Sequence, residues 1–534
     1  MRHILMLGAA CAVLTAPAGP AFAQSADAVM RRLDRMQRMI EAQQKQIEDQ
    51  KKEINRLSHA LAGKDAPAEP AAEMPPPPAP PPVVETRLKQ QDQKIDDLIA
   101  KFAAERDERR TLAKQAARPS LANGRLEITS ADGRFSAALR MTSQYDFGYY
   151  MQSARARSLP LGPDLSSGGN FRRAQVGFQG RLFGDWSYSF KMDFGSGGSS
   201  GTETPGHLQE AYLEYDGFAP FALRVGVHSA ALGMDEASPS RDLYFLERSG
   251  PTELARSMAS GSRNSMELVY TGERFFGSVA LTGDKPQSSG SFDEQQAVVA
   301  RAAYLPIASR DWHWAVSVGG SDIFRPSDAS AAQNSPSIVH LSIVPELVLD
   351  DNSTKFVDTG TINGVSGAWN LTLESGVNHG PFLAQGGYFR YGVDRNLPGE
   401  GNLSFSGWYG EASWVLSGEE REWSASRAAF LNPRPELALS EGGLGALELV
   451  ARYSDLNLND HAGSVASPLP LGGMRGGEQR IATLGLDWYP NTVVKFMLQA
   501  QNVQVSKIGA TALAQDGNLG QNFDTLALRS QIAF

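Results

Sequence analysis

The stretch Thr525-Leu-Ala-Leu-Arg-Ser-Gln-Ile-Ala-Phe534 carries the reading of the fold. Leu526, Leu528, Ser530, Ile532 and Phe534 fall on one face of an extended strand, and Thr525, Ala527, Arg529, Gln531 and Ala533 on the other, because strand side chains alternate. One face is mostly apolar and the other carries a charge. A soluble sandwich also buries such a face, so the rest of the chain must decide between the two.

Working back to Asn123, segments of about ten alternating residues recur between Gly, Asp, Asn and Pro clusters. Candidate strands lie near 133–148, 170–183, 185–195, 207–216, 221–228, 263–272, 275–283, 295–305, 311–320 and 338–347. Others lie near 365–378, 381–392, 404–417, 444–456, 478–489, 492–503 and 521–534. Seventeen is one too many for a bacterial barrel, which closes with an even number, so one is expected to be a loop strand or two have been merged. Short links such as Gly184 alternate with long ones such as Ser229 to Ser262, the asymmetry of periplasmic turns and external loops. An alternating strand ending in an aromatic residue also resembles the assembly signal of outer-membrane barrels. The expected fold is an all-β transmembrane barrel of about 16 antiparallel strands, preceded by an α-helical coiled-coil stalk.

The stalk obeys different rules. Before Ser120 there is no Trp or Tyr, and only Phe22 and Phe102 among the phenylalanines. Arg2 and His3, the apolar run Ile4 to Leu14, and Ala21-Phe22-Ala23 read as a signal peptide over 1–23; its removal takes away Cys11, the chain's one cysteine. Residues 24–65 carry a heptad with Leu33, Ile40, Ile47, Ile54 and Leu61 at one seam position, and Met36 and Leu57 with Gln43 and Gln50 at the other. A trimeric coiled coil fits this pattern, as does a solitary solvated helix. Residues 66–83 form a Pro-rich linker with nine prolines between Pro67 and Pro82. A second helical segment over 84–118 places Leu88, Ile95, Leu98, Phe102 and Leu112 at helical spacing, and 119–534 is the barrel.

Length alone, 534 residues, suggests several soluble domains, yet a closed sheet absorbs most of it. The net charge of −9 divides as +1 through Ala23, +2 from residue 24 to 118 and −12 beyond. An acidic body argues against nucleic acid as a partner.

Strand 185–195 shows which face meets lipid. Trp186, Tyr188, Phe190, Met192 and Phe194 share a side opposite Ser187, Ser189, Lys191 and Asp193, and the aromatic side is too apolar for a water-filled lumen. The same parity places Arg134, Arg140, Arg173, Arg181, Arg224, Arg301, Arg390, Arg452 and Arg529 on lumen faces, with acids at Asp193, Glu210, Glu214 and Glu448. Two readings stand side by side: ion pairs that stiffen the wall, and a guanidinium track that passes oxyanions from site to site by bidentate hydrogen bonds. The long connection 229–263, with Arg241, Arg248, Arg256 and Arg263, is the segment expected to fold inward and narrow the pore, against the alternative of a solvated external loop.

The runs FRRAQVGFQGRLFGDWSYSFKMDF, HLQEAYLEYDGFAPFALRVG and SRDLYFLERS, followed in order by RYGVDR, FSGWYGEASWVLSGE, GALELVARYSDLNLND and TLGLDWYPNTVVKF, resemble the phosphate-selective porin O and P family from Gly124 to Phe534. The resemblance implies a 16-stranded homotrimeric outer-membrane barrel of a Gram-negative bacterium. It further implies passive passage of phosphate or polyphosphate, an inward-folded constricting loop and no enzymatic turnover. The family's double arginine falls on Arg172 and Arg173, and its segment before the constriction on Ser240 to Ser249, with Arg241 and Arg248. The anion-binding or pore-lining set is therefore Arg140, Arg172, Arg173, Arg181, Arg224, Arg241, Arg248, Arg256, Arg301, Arg390, Arg452 and Arg529. Beyond Ser120 lysine occurs only at 191, 285, 355, 495 and 507, a departure from lysine-rich members that weakens phosphate selectivity more than it weakens a porin.

Other classes have less support. Gly197, Ser199 and Gly201 match G-x-S-x-G, but inside GSGGSSG this spacing follows from composition and lacks the strand-to-helix elbow that exposes a nucleophile. His207, His228 and His379 lack metal-ligand spacing, and neither a cofactor nor a metal is expected. Two alternatives remain: a general porin without phosphate selectivity, or a barrel serving mainly to anchor a periplasmic tether whose stalk holds a periplasmic partner.

Overall fold

The computed structural model describes residues 52, 82–122, 124–152, 164–195, 206–286, 293–332, 334–350, 354–464, 467–508 and 520–534. The expected signal peptide and coiled coil, Lys52 excepted, and all but the last two linker residues lie outside these. The chain divides into two units at Lys101/Phe102.

The first long element, α1 (Pro82–Gln115), begins with proline at a position where its missing N–H is no loss. Ile95, Leu98, Ile99 and Phe102 are exposed on it at helical spacing. Among the described residues no helix is long and apolar enough to cross a membrane.

Sixteen strands make the barrel: β1 (Ser136–Gln152), β2 (Gly168–Leu182), β3 (Trp186–Asp193), β4 (His207–Phe218), β5 (Phe221–His228), β6 (Arg263–Thr271), β7 (Phe275–Thr282) and β8 (Gln296–Ala308), then β9 (Trp312–Arg325), β10 (Val365–His379), β11 (Phe382–Arg395), β12 (Leu403–Val415), β13 (Ala446–Asp460), β14 (Met474–Tyr489), β15 (Val494–Ser506) and β16 (Asn522–Ala533). Each pairs antiparallel with the next, and β16 returns to β1, Ala533 facing Thr142 and Phe523 facing Gln152. Closure removes the unpaired edges that would expose backbone polar groups to lipid. The surplus seventeenth candidate, 338–347, is the loop strand Ser337–Ile343, paired with Val357–Asn363 outside the wall.

Below the closing seam β1 runs on past Phe534, and a hairpin covers this overhang. Arg118–Ala122 pairs with Arg125–Thr129, turning at Gly124 with a φ of 72°, and Glu127 and Thr129 then pair with Ala138 and Ser136 of β1.

Outward positions are mostly apolar and bounded by aromatics. Trp186, Phe275, Trp312, Phe382 and Trp414 ring the end with short turns, and Tyr149, Tyr388, Trp408 and Tyr453 the other. This matches the face assignment made from strand 185–195.

The interior is partly filled. The connection Ser229 to Ser262 lies inside the barrel and carries α2 (Met234–Ala237) and α3 (Gly250–Ala255), the latter capped by Ser249 Oγ accepting from Thr252 N at 3.4 Å. Its Leu232, Met234, Leu246, Leu254 and Ala259 are buried, which decides against a solvated loop. Part of the next long loop joins it, with Glu346 Oε1 accepting from Gly250 N at 2.7 Å.

One connection departs from the expected pattern of short turns. Between β12 and β13, on the short-turn side, residues 416–445 form an insert with its own hairpin, Arg421–Ser424 and Ala429–Pro433. Phe430 of the insert is buried against Tyr244, Phe245, Leu383 and Val450. Asn432 Nδ2 donates to Arg241 O at 2.9 Å, so the insert touches the inward loop directly.

Candidate pore and its arginines

The open space left beside these plugs is a cavity of about 510 Å³. It lies along β1 to β6 and is faced by the inward loop and the insert. Ten cationic side chains line it (Arg125, Arg140, Arg172, Arg173, Lys191, Arg224, Arg241, Arg248, Arg256 and Arg427) against six carboxylates (Asp193, Glu210, Glu214, Glu236, Glu253 and Glu267), an excess of four positive groups. Low-dielectric walls focus such a local excess even though the body is acidic overall.

Most of these cations are engaged. On the wall, Arg140 bonds Glu210 at 2.7 Å and Ser189 Oγ at 2.8 Å, and Lys191 takes the other oxygen of Glu210. Arg224 bridges Glu214 at 2.6 Å and Glu267 at 3.3 Å, with its guanidinium 4.8 Å from the centre of the Tyr212 ring. In the inward loop, Arg256 pairs with Glu253 at 3.1 Å. Among the described residues Arg248 donates only to main-chain carbonyls, those of Asp235, Glu236 and Ser238, and thereby clips α2 to the loop.

Arg172 and Arg173 both point inward although they are neighbours on β2. Gln144 of β1 pairs with Arg173 but Tyr145 pairs with Phe171, so Arg172 is an extra residue in a bulge, which turns it to the face that Arg173 already occupies. Both bind Glu247 of the inward loop, Arg172 Nε to Oε1 at 2.7 Å and Arg173 Nη2 to Oε2 at 2.9 Å. Arg529 Nη2 adds a third bond to Oε1 at 3.1 Å. Burial pushes the Glu247 carboxyl up, but these guanidiniums hold it well below the usual carboxylate range.

Two arginines stand apart. Arg241, in the loop that enters from the external side, is exposed to the cavity, and among the described residues its side chain meets only its neighbour Asp242, at 3.4 Å. Arg427, at the tip of the insert that enters from the other side, has no ion pair among the described residues and is open to the cavity. Enclosure by the barrel lowers its pKa, as does the charge of Arg241, while Glu210 and Asp242 oppose the shift. An anion beside Arg427 would relieve that unfavourable charge.

The remaining expected positions do not meet the cavity. Arg301 holds the insert, donating to Arg427 O at 2.8 Å and Ala428 O at 2.7 Å. Arg452 bonds Glu346 and lies over the Phe245 ring at 4.2 Å, behind the inward loop. Arg529 bonds Asp146 at the seam. Arg181 pairs with Asp216 near the short-turn rim.

Arg390 is a correction. It is exposed on the outer wall with Tyr388, while Phe389 and Tyr391 point inward. On β11 the inward face is covered by the loop, Tyr391 Oη donating to Pro251 O at 2.6 Å, so it reads apolar and inverts the parity rule.

Alternation puts Lys191 on the lumen side without marking it as an anion contact, and nothing in it singles out Arg125 or Arg427 as cavity cations. The signal for Arg427 was present: the apolar run Ala428-Ala-Phe-Leu431 is out of place in a solvated turn.

No group of three or more His, Cys, Asp or Glu among the described residues is arranged to hold a metal ion. A closed sixteen-stranded wall with an apolar girdled exterior and a charged, loop-narrowed interior is an outer-membrane porin. The sequence model for the phosphate-selective porin O and P family matches residues 139–534, and the chain belongs to that family.

Among relatives, Porin O of Pseudomonas aeruginosa is 23% identical over 412 residues, covering 74% of this chain and 89% of that one. An uncharacterized protein of Caulobacter vibrioides is 24% identical, covering 77% and 76%. Similar solved structures include OmpT of Vibrio cholerae (TM-score 0.44, 10% identity, 75% of this chain and 98% of that one). The anion-selective porin of Comamonas acidovorans is another (0.44, 12%, 75% and 100%). The chain resides in the outer membrane of a Gram-negative bacterium.

Proposed function

We propose that the barrel conducts small oxyanions of the phosphate class passively, and that Arg241 and Arg427 are its principal anion contacts. The observation that carries this is their placement: two cavity-exposed guanidiniums, brought in by segments from opposite sides of the membrane, one with no ion pair among the described residues and the other with only the adjacent Asp242 among them. Planar guanidinium donors match two oxygens of a phosphate at once. Arg140, Arg172, Arg173, Arg224 and Arg256 set the potential around them, while Arg248, Arg301, Arg452 and Arg529 hold the constriction in shape. The family's description supports phosphate as the ion.

A general porin is the second reading, favoured by the neutralisation of most lumenal arginines. Homotrimerisation is part of the proposal, supported by the exposed stripe Ile95, Leu98, Ile99 and Phe102 on α1 and by the heptad before it. The stalk would then reach a periplasmic partner.

Bilayer recordings test the function. Purified protein is expected to give stepwise chloride conductance that added phosphate reduces. Arg427→Ala or Arg241→Ala should raise the half-blocking phosphate concentration by roughly tenfold, the scale of one charge-assisted hydrogen bond of about 1.5 kcal/mol. Silent insertions would reject the porin in favour of the tether anchor. A channel preferring potassium, or a block unchanged in both variants, would leave a general porin.

A further inference from the structure

Arg390 is a cation on a wall that faces lipid, and its surroundings are specific. It is paired across the sheet with Leu371 of β10 and Ser406 of β12, and Ser406 is paired in turn with Asn457 of β13. Arg390, Ser406 and Asn457 therefore form an outward row on three adjacent strands, about 4.8 Å apart. No carboxylate satisfies the arginine: among the described residues it has no ion pair, whereas Arg480, further round the wall, binds Asp455 at 3.2 Å and Glu478 at 2.6 Å.

The height of the row is also defined. Arg390 is eight residues beyond Phe382, which belongs to the aromatic ring at the short-turn end. At about 3.3 Å per residue and a tilt of about 40°, it stands about 20 Å above that ring, in a wall whose apolar band is about 25 Å tall. Tyr388 and Trp408, paired with each other, lie just beneath it. Trp369 flanks it above, its ring lying over Gly392, where a Cβ would come within 2.3 Å of the indole. A long guanidinium stem at this level reaches the headgroups of the outer leaflet.

We propose that Arg390, with Ser406 and Asn457, binds the phosphate-bearing sugar headgroup of an outer-leaflet glycolipid. The guanidinium takes the phosphate, and the two neutral side chains hydrogen-bond hydroxyl or amide groups of the sugar. Nothing in this depends on which ion the pore conducts; it requires only the barrel's place in the outer membrane.

Delipidated full-length protein in a non-ionic detergent is titrated with diphosphorylated lipid A and with its dephosphorylated form, and bound lipid is counted by native mass spectrometry. The phosphorylated lipid is expected to bind roughly tenfold more tightly. Arg390→Gln should remove that difference, Arg390→Lys should retain part of it, and Arg480→Gln should leave it intact. Conductance of Arg390→Gln reports that the barrel is folded. Equal binding of the two lipids, or wild-type preference in Arg390→Gln, overturns the site. A change in oligomeric state of lipid-free Arg390→Gln also overturns it, because the row would then be a contact between copies.

Discussion

Arg529 and Asp146 face one another across the strand pair that closes the barrel, joined by two parallel hydrogen bonds of 2.6 Å, and both are fully buried. The same guanidinium reaches Leu246 O and Glu247 of the inward loop. Closure of the wall and placement of the constriction thus share one side chain.

Asp146→Asn should destabilise the barrel by about 3–5 kcal/mol, since a buried arginine would lose its counter-charge. Urea unfolding in lipid vesicles measures this. The double change Arg529→Met with Asp146→Leu should recover much of the loss, because a well-packed apolar pair need not be desolvated at a cost. A single variant as stable as the parent would show that the seam does not depend on the pair.

Arg301 spans from β8 to the tip of the insert and ends on the carbonyls of Arg427 and Ala428, with Ser317 Oγ at 3.0 Å orienting it. Arg301→Met removes three charge-assisted hydrogen bonds, two of them to the tip and about 1.5–3 kcal/mol each, without touching the cavity. Open-channel noise should rise and phosphate block should weaken. Quiet channels with normal block would mean that apolar packing of Phe430 alone holds the tip.

Glu247 gives a pH dependence with a definite sign. Its folded pKa is depressed, so the stabilisation it lends the inward loop is complete above the unfolded value of about 4.3 and is lost as pH falls through the lower folded value. The difference in conductance between the parent and Glu247→Gln should therefore stay level from pH 7 to about pH 4.5, and shrink only in stronger acid. Glu247→Gln should show the loosened state at neutral pH. A transition between pH 5 and 7 that is present in the parent channel and absent from Glu247→Gln would contradict this assignment.

Shortening the insert tests the narrowing itself. Replacing residues 419–442 by a four-residue turn keeps β12 and β13 paired but removes Arg427 and the Phe430 anchor. Single-channel conductance should increase several-fold by the wider path. Unchanged conductance would place the narrowest point elsewhere.

Strand positions were largely legible from alternation, because lipid on one side and polar groups on the other impose a two-residue period. The rule failed where that contrast vanishes. On β11 the interior is Phe389, Tyr391 and Val393, packed under the inward loop, and the lumen face of Arg390 was misassigned for that reason. The loop at 229–263 was recognisable by length and charge, whereas the insert was concealed by its side of the membrane, where short turns are the norm. Which arginines would be held by carboxylates could not be read at all. Glu247 lies 75 residues from Arg172 and 282 from Arg529, and only the closed sheet brings them together.

The contact of Asn432 with the Arg241 carbonyl means that neither segment owns the constriction. A graft of Ser229 to Ser262 into another barrel would carry one half of a two-part device, and its recipient would lack the surface on which Tyr244 and Phe245 rest. Selectivity in this chain is for that reason not a transplantable loop. It would move between scaffolds only if both segments, and the strands that hold their roots in register, moved as a unit.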